Sequence, residues 1–332
     1  MKTRKSGIRL LAWLMLAVML ASCSSKPAVD NGQGADSNGE SENTRTFAIV
    51  FPLVHPWFDP IEKSAKEYAN EHGWNIIIRA PEAPDAQMQI DFMEELIEMG
   101  VDGIAIAPAN PDIITDVIVK AIDAGIKIIC FDGDVPDSGR MGYVGTDNYI
   151  AGRHMGHVLG RTLAGEGDIL ILSGISVHIG QNDRIQGVMT ALTDHYPGIN
   201  ILDMQFSEAD FQRAVDVTQE MVRAHPNFDA IIGIDSTAGY ALISVWEEMG
   251  WKSDDKPIIT FDDMSYNLQG LRDGYITAII AQRQNVLGEG LILLLNSLVE
   301  GRPIPEYTDT KTIEVTMSNI NSYFDEESWI ER

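Results

Sequence analysis

From residue 46 onward, short apolar runs rich in Ile, Val and Phe alternate with longer segments whose apolar residues recur at helical spacing. The runs at 47–54, 74–79, 101–107 and 126–132 predict strands, and the segments at 57–72, 85–99 and 111–124 predict helices. Gly73, Gly100 and Gly125 each follow a helical segment, where a C-terminal cap belongs. Repeated strand–helix units closed by another strand imply a parallel sheet wrapped by helices. A short strand is expected at 142–145, and Thr146-Asp147-Asn148 then has the chemistry of a helix start. A second series follows, with helices at 148–164, 182–195, 209–225 and 237–249 and strands at 168–173, 200–206, 230–234 and 257–261. Segments at 264–272 and 275–281, a Leu-rich helix at 284–299 and a tail at 310–332 complete it. The total, about ten strands, exceeds a comfortable single sheet, so the pattern predicts two α/β lobes.

Polar residues close the apolar runs at equivalent places. After the first strand comes His55-Pro56-Trp57-Phe58, and after the fourth comes Asp132. The loop beyond 168–173 leads to Asn182-Asp183-Arg184, and the loop before the helix at 209–225 holds Phe211. Asp235, Asp262 and Gln282 stand at the ends of the next three strands. Buried strands do not end in carboxylates for packing reasons. Each Asp has a competing reading as a helix cap, and Asp235, just before Ser236-Thr237, is the most open to it. As a set, carboxylates, one guanidinium, an amide and aromatic rings suit a small polyhydroxylated molecule. Charged groups hydrogen-bond its hydroxyls, and rings cover its C–H faces. In open parallel sheets, ligands sit at the carboxyl ends of the strands.

The N-terminus changes the picture of where the body works. Lys2, Arg4, Lys5 and Arg9 precede an apolar stretch at 10–20 that is too short to span a bilayer permanently. Leu20-Ala21-Ser22-Cys23 resembles the lipobox of bacterial lipoproteins, so 1–22 is expected to be a signal peptide and Cys23 the site of lipid attachment. Residues 23–45, rich in Gly, Ser, Asn and Asp, read as a flexible tether. The formal charge of −25 becomes −25 − 4 = −29 once those four cations are removed. That charge argues against nucleic acid, which needs a basic surface. With Cys23 acylated, Cys130 has no partner for a disulfide and reads as a small core residue.

Catalytic and metal readings fare poorly. Gly174-Ile175-Ser176-Val177-His178 starts like a nucleophile elbow but ends in His where Gly is required. His154 and His157 share a helix face without a third ligand and read as surface residues, so no metal is expected. Asp132-Gly133-Asp134 lacks the rest of a calcium loop, and Gly165-Glu166-Gly167 precedes a strand where a dinucleotide fingerprint would follow one. No enzyme activity and no cofactor are expected.

The order and spacing of these residues resemble the periplasmic sugar-binding proteins of ABC importers, in the branch of the ribose-binding proteins. The resemblance runs from Thr46 to about Val315. It rests on Pro56-Trp57-Phe58 with His55 before it, on Asp132, on Arg184 and Gly187 within Asp183-Arg184-Ile185-Gln186-Gly187, and on Ala209-Asp210-Phe211. Thr260-Phe261-Asp262 and Ile280-Ala281-Gln282 complete it. It implies two doubly wound parallel-sheet lobes joined by a three-crossover hinge near Thr146, Gln282 and Thr310, with ligand in the interlobe cleft. The lobes would be 46–146 plus 283–311 and 147–282 plus 312–332. The implied site is His55, Trp57, Phe58, Asp132, Arg184, Phe211, Asp235, Asp262 and Gln282. The implied role is a monomeric, extracytoplasmic, lipid-anchored receptor that delivers a sugar or polyol to an ABC permease. The alternative is a receptor that presents ligand to a histidine kinase or chemoreceptor. Related repressors of this fold carry a DNA-binding module where this chain has its leader and tether. Two departures from the ribose branch matter: Gly133 stands where Arg follows the strand-end Asp, and Asp235 stands where the branch has Asn. Both make the cleft more negative, so a neutral or cationic ligand is expected and ribose itself is not carried over.

Overall fold

The computed structural model describes residues 44–83 and 85–323. The signal peptide, Cys23 and nearly all of the tether lie outside the described residues, as does the end of the tail. Arg45, assigned to the tether on composition, is held: it bonds Asn296 and Glu300 and lies over the Trp74 ring at 5.6 Å.

The first lobe runs through β1 (Thr46–Val50), α1 (Asp59–Glu71), β2 (Asn75–Arg79), α2 (Ala86–Met99), β3 (Gly103–Ile106), α3 (Pro111–Asp123), β4 (Lys127–Phe131) and β5 (Tyr143–Gly145). The second runs through α4 (Asn148–Thr162), β6 (Glu166–Ser173), α5 (Ile179–His195), β7 (Gly198–Phe206), α6 (Phe211–Ala224) and β8 (Ala230–Gly233). It continues with α7 (Ser236–Met249), β9 (Ile258–Phe261), α8 (Ser265–Arg272) and β10 (Ala278–Ala281). The chain then returns for α9 (Gln284–Val299) and finishes with β11 (Tyr307–Asp309) and β12 (Ile313–Val315).

Among the described residues these strands form two six-stranded sheets, ordered β11-β5-β4-β3-β1-β2 and β12-β10-β9-β8-β6-β7. The two orders correspond strand for strand, so one architecture is built twice. Pairing is parallel apart from β10 with β12. The central strands β1, β3 and β4 are buried along nearly their whole length, as parallel strands covered on both faces must be. Each sheet has an apolar core on either face. In the second lobe, α6, α7 and α8 cover one face around Trp246 and Phe228, and α4 and α5 cover the other around Met155 and Ile185. Cys130 lies in the first lobe's core, and burial pushes its thiol up to about 12, which leaves it inert.

The chain passes between sheets after β5, after β10 and between β11 and β12, at the three crossovers expected. Thr310 N–H bonds the Gly145 carbonyl at 3.0 Å, and Asp147 N–H bonds the Asp309 carboxylate at 3.0 Å, so two of the crossovers are tied together. The strands β11 and β12 were not foreseen. At three residues each they are too short to show a period.

Other boundaries differ for identifiable reasons. The strand predicted at 47–54 stops at Val50 because Pro52 cannot donate to a ladder. The helix predicted at 57–72 is preceded by a 3₁₀ turn, Pro56–Phe58. The helix α5 starts at Ile179 rather than 182 because His178 caps it, its Nδ1 accepting from Gln181 N–H at 3.3 Å. His154 is half-buried rather than fully on the surface: its Nδ1 meets Thr312 Oγ1 at 2.8 Å, and burial lowers its pKa. No helix among the described residues is long and apolar enough to cross a membrane.

Two packing features hold the strand exits and the helices beside them in place. Gln89 is fully buried, donates to the carbonyls of Phe51 and Ala107 and accepts from Ala109 N–H at 2.8 Å, bracing the exits of β1 and β3. Helices α4 and α5 cross backbone to backbone: a Cβ on Gly152 would lie 2.0 Å from the Arg184 carbonyl oxygen, and one on Gly187 would lie 2.1 Å from that of Tyr149. Side chains there force the helices apart, and overpacking of this kind costs about 1–3 kcal/mol. Gly152→Ala and Gly187→Ala are each expected to lower the urea unfolding free energy by that amount. An unchanged midpoint in both would mean that the crossing has room to spare.

Candidate functional site

The carboxyl edges of the two sheets face each other across the interlobe cleft. Asp132 follows β4 and Asp262 follows β9, the matching strand of the second lobe. Both are Asp after Phe, and both hold left-handed backbone, at φ 58° and 66°. Asp tolerates this region better than most residues, and backbone held there concentrates at ligand clamps. At Asp132 a tight turn is closed by Gly133 N–H on the Phe131 carbonyl at 2.6 Å, and Tyr143 Oη donates to the Asp132 carbonyl at 3.1 Å. At Asp262, Asn267 Nδ2 donates to the carbonyls of Phe261 and Asp262.

Arg184 stands among the acids. Only 8% exposed, it lies flat over the Phe261 ring at 3.8 Å, donates from Nε to Asn148 Oδ1 at 2.7 Å, and donates from Nη1 to the Ile234 carbonyl at 3.1 Å. Burial lowers its pKa, and Asp262, Asp132 and Asp235 oppose that shift. Guanidinium remains charged in any such setting. Asp262 accepts at Oδ1 from Gln282 Nε2 at 2.7 Å and from Trp57 Nε1 at 3.2 Å. The indole comes from the first lobe, so this bond spans the cleft. Asp235 accepts from Ala238 N–H at 3.2 Å as the cap of α7, so the competing cap reading is correct for one of its oxygens. Desolvation raises the pKa of both Asp262 and Asp235.

Asp132 is different. Among the described residues its carboxylate has no hydrogen-bond donor. Desolvation pushes its pKa up to about 6, Arg184 pulls the other way, and Asp262 adds to the rise. By accessible area Asp132 is an exposed residue, so water in the cleft weakens this shift without changing its direction.

The remaining expected residues divide. His55 accepts at Nδ1 from Trp57 N–H at 3.1 Å, capping the 3₁₀ turn and leaving its ring proton on Nε2. Trp57 and Phe58 are perpendicular, at 89°, and this sends them to different places. Trp57 reaches across the cleft, while Phe58 is 7% exposed and packs on Phe51 in the core. Phe211 stands apart from the polar cluster, 48% exposed and edge-to-face with Tyr240. Asn148, Tyr143, Tyr266 and His178 belong to the site's surroundings and were missed. Asn148 was read only as part of a helix start, although it aligns the guanidinium. The repeated dipeptides Val54-His55 and Val177-His178, whose histidines both cap the next helix through Nδ1, were a legible signal for His178.

As the lobes stand, the cavity lined by Trp57, Asp132, Tyr143, Asn148 and Gln282 measures about 10 Å³. A larger concavity, about 690 Å³, lies elsewhere, between α1 and α9 and reaching Asp263. It is an open groove and holds neither the strained aspartates nor Arg184. The convergence of strand ends, rather than size, identifies the interlobe cleft as the candidate site.

The sign of the pH effect is set by Asp132. Its pKa rises above roughly 3.9, the ordinary value, so the folded state holds its proton more tightly than the unfolded chain. Stability at this position is therefore lost as pH rises from about 4 to 6 and stays lost above. Asp132→Asn is expected to match the wild type in urea unfolding near pH 4 and to exceed it above pH 6. A difference independent of pH would contradict the assignment.

A family model described as a periplasmic binding protein domain matches residues 48–303. The D-ribose/D-allose-binding protein of Pseudomonas aeruginosa is 26% identical, over 83% of this chain and 88% of its own length. An ABC transporter solute-binding protein from Burkholderia graminis, solved in complex with D-arabinose, is 34% identical with a TM-score of 0.77, covering 84% of this chain and 97% of its own. The sugar-binding protein of a sugar ABC transporter from Bacillus halodurans is 26% identical with a TM-score of 0.79, over 84% and 99%. The fold, the span of the match and the convergence of strand ends agree, and the chain belongs to the periplasmic binding protein family.

Proposed function

We propose that this protein is an extracytoplasmic receptor that binds one small sugar or polyol between its lobes and delivers it, unconverted, to an ABC importer. The single observation that carries this reading is the pairing of a free, strained carboxylate, Asp132, with a buried guanidinium, Arg184, contributed by opposite lobes. Asp132 accepts and Arg184 donates, which is what a hydroxyl needs in order to be satisfied in both roles. Relatives whose names or complexes specify ribose, allose and arabinose support the ligand class.

The lobes are taken as 46–146 with 283–311 and 147–282 with 312–332. Ligand pockets usually measure roughly 300–1,000 Å³, far above the cleft's present volume, so entry requires the lobes to part about the crossovers. Parting breaks the bond from Trp57 to Asp262. The site residues are His55, Trp57, Asp132, Arg184, Asp262 and Gln282, with Asn148 positioning Arg184. Phe58 acts from beneath, and Asp235 mainly through its charge.

Three carboxylates against one guanidinium leave the cleft negative, so an acidic ligand is disfavoured. Asp132→Ala is expected to weaken binding by at least about 2 kcal/mol while the fold survives, since the lost carboxylate has no internal partner. Calorimetry with D-ribose, D-allose, D-arabinose and common polyols tests this, and a uronate or sugar phosphate should give no saturable heat. Unchanged affinity in both Asp132→Ala and Arg184→Ala would remove the site. Tight binding of an acidic sugar would remove the charge argument.

We also propose that Cys23 carries the lipid that holds the receptor at the cell membrane, and that the receptor acts as a monomer. Cys23→Ser is expected to release the protein or leave it as unprocessed precursor. A Cys23→Ser protein that is still lipid-labelled and correctly processed would exclude the anchor.

A further inference from the structure

The second lobe carries an aromatic row that the polar cluster does not use. Helices α6, α7 and α8 lie side by side on one face of the sheet and begin at the edge where β7, β8 and β9 end, the edge that bears Asp235 and Asp262. Each helix has a ring near its start: Phe211, Tyr240 and Tyr266. Tyr266 and Tyr240 are 6.2 Å apart at 81°, and Tyr240 and Phe211 are 5.3 Å apart at 87°.

The inner end of the row is fixed to the cluster. Tyr266 Oη donates to the carbonyl of Ser236, the residue after Asp235, at 2.6 Å. The charges of Asp262 and Asp235 add to the desolvation that raises its pKa. The outer end is open, with Tyr240 45% and Phe211 48% exposed. Packing does not explain this exposure. The buried faces of α6 and α7 are already filled by Ala214, Val217, Ala238 and Leu242. Adjacent half-exposed rings, continuous with a polar site, are the chemistry that covers the face of a second ring.

We propose that the interlobe site extends over this row and that the ligand is a glycoside, a sugar carrying a second ring. The first ring is held by Asp132 and Arg184, and the second lies against Tyr240 and Phe211. The proposal rests on the receptor reading of the cleft and deepens it. The row runs two ring-to-ring steps outward from Tyr266, 6.2 Å to Tyr240 and 5.3 Å more to Phe211, so a free monosaccharide held at the cluster leaves its outer end uncovered. The second ring is either a sugar or an aromatic aglycone. Both present a flat apolar face, and the experiment separates them.

The test uses calorimetry on the full chain. The probes are the monosaccharide that binds best, its methyl glycosides, its p-nitrophenyl glycosides in both anomers, and disaccharides with that sugar at the non-reducing end. At least one two-ring probe is expected to bind about tenfold or more tighter than the matching methyl glycoside. Its class tells a sugar from an aryl group. Tyr240→Ala should abolish that gain and leave monosaccharide affinity within about threefold, while Tyr240→Phe should retain it. Tyr240 is half-exposed, so its removal is tolerated by the fold, and circular dichroism checks this. The proposal is overturned if every two-ring probe binds more weakly than the free sugar, or if Tyr240→Ala weakens one-ring and two-ring ligands equally. Monosaccharide binding without a two-ring gain sinks this extension alone. Failure of every sugar to bind sinks the receptor reading and this extension with it.

Discussion

Arg184 is the constraint around which the cleft is built. A guanidinium cannot shed its proton, so burying it in the second lobe obliges the fold to supply oxygens and a ring face around it. Asn148 Oδ1, the Ile234 carbonyl and the Phe261 ring meet that demand from three different elements. These fix its Nε, one terminal nitrogen and its plane, yet they do not neutralise it. The neutralising carboxylates lie at strand ends in both lobes, so the charge balance of the second lobe depends on the first. The glycine crossing of α4 and α5 serves the same end, since it places the Asn148 and Arg184 backbones close enough for their side chains to meet.

The doubled architecture explains why the carboxylates converge and why they are not equivalent. Two sheets of the same order place Phe131-Asp132 and Phe261-Asp262 at matching exits, each in left-handed backbone. Symmetry ends there. Asp262 is occupied by Gln282 and Trp57, whereas Asp132 has no internal donor among the described residues. One lobe therefore presents a finished polar surface with a fixed cation, and the other presents an unsatisfied acceptor. A hydroxyl entering between them meets a donor on one side and an acceptor on the other. This asymmetry, rather than the fold, makes the cleft chemically competent.

Much of this was legible in the sequence, because a single polar residue closing an apolar run is a strong signal. Asp132, Asp262 and Gln282 stand out that way, and the structure brings all three to the cleft; the switch between sheets after β5 was visible as a helix start. The misses have physical causes. Asn148 looked like cap chemistry, since a side chain that orients a distant guanidinium leaves no periodic trace. Tyr240 and Tyr266 carry no signal of their own in the sequence, because only the packing of α7 on α8 lines them up. Phe58 was grouped with Trp57 by adjacency, but a 3₁₀ turn between them sends one ring into the core and the other across the cleft. The strands β11 and β12 take their structure from the edges they join rather than from their own composition.

Asp262 links lobe position to the hinge. The same oxygen, Oδ1, receives Gln282 from the crossover after β10 and Trp57 from the opposite lobe. Opening breaks the indole bond and leaves the amide bond, so the carboxylate is never stripped of all its donors. A hydrogen bond to a charged group is worth about 1.5–3 kcal/mol net. Open and closed forms of such proteins commonly differ by only a few kcal/mol. One indole hydrogen bond is therefore of the same order as the difference between such forms. The aromatic residue after Pro56 thus makes two contacts of different kinds: its ring lines the cleft, and its nitrogen ties one lobe to the other. A phenylalanine there would preserve the first contact and forfeit the second.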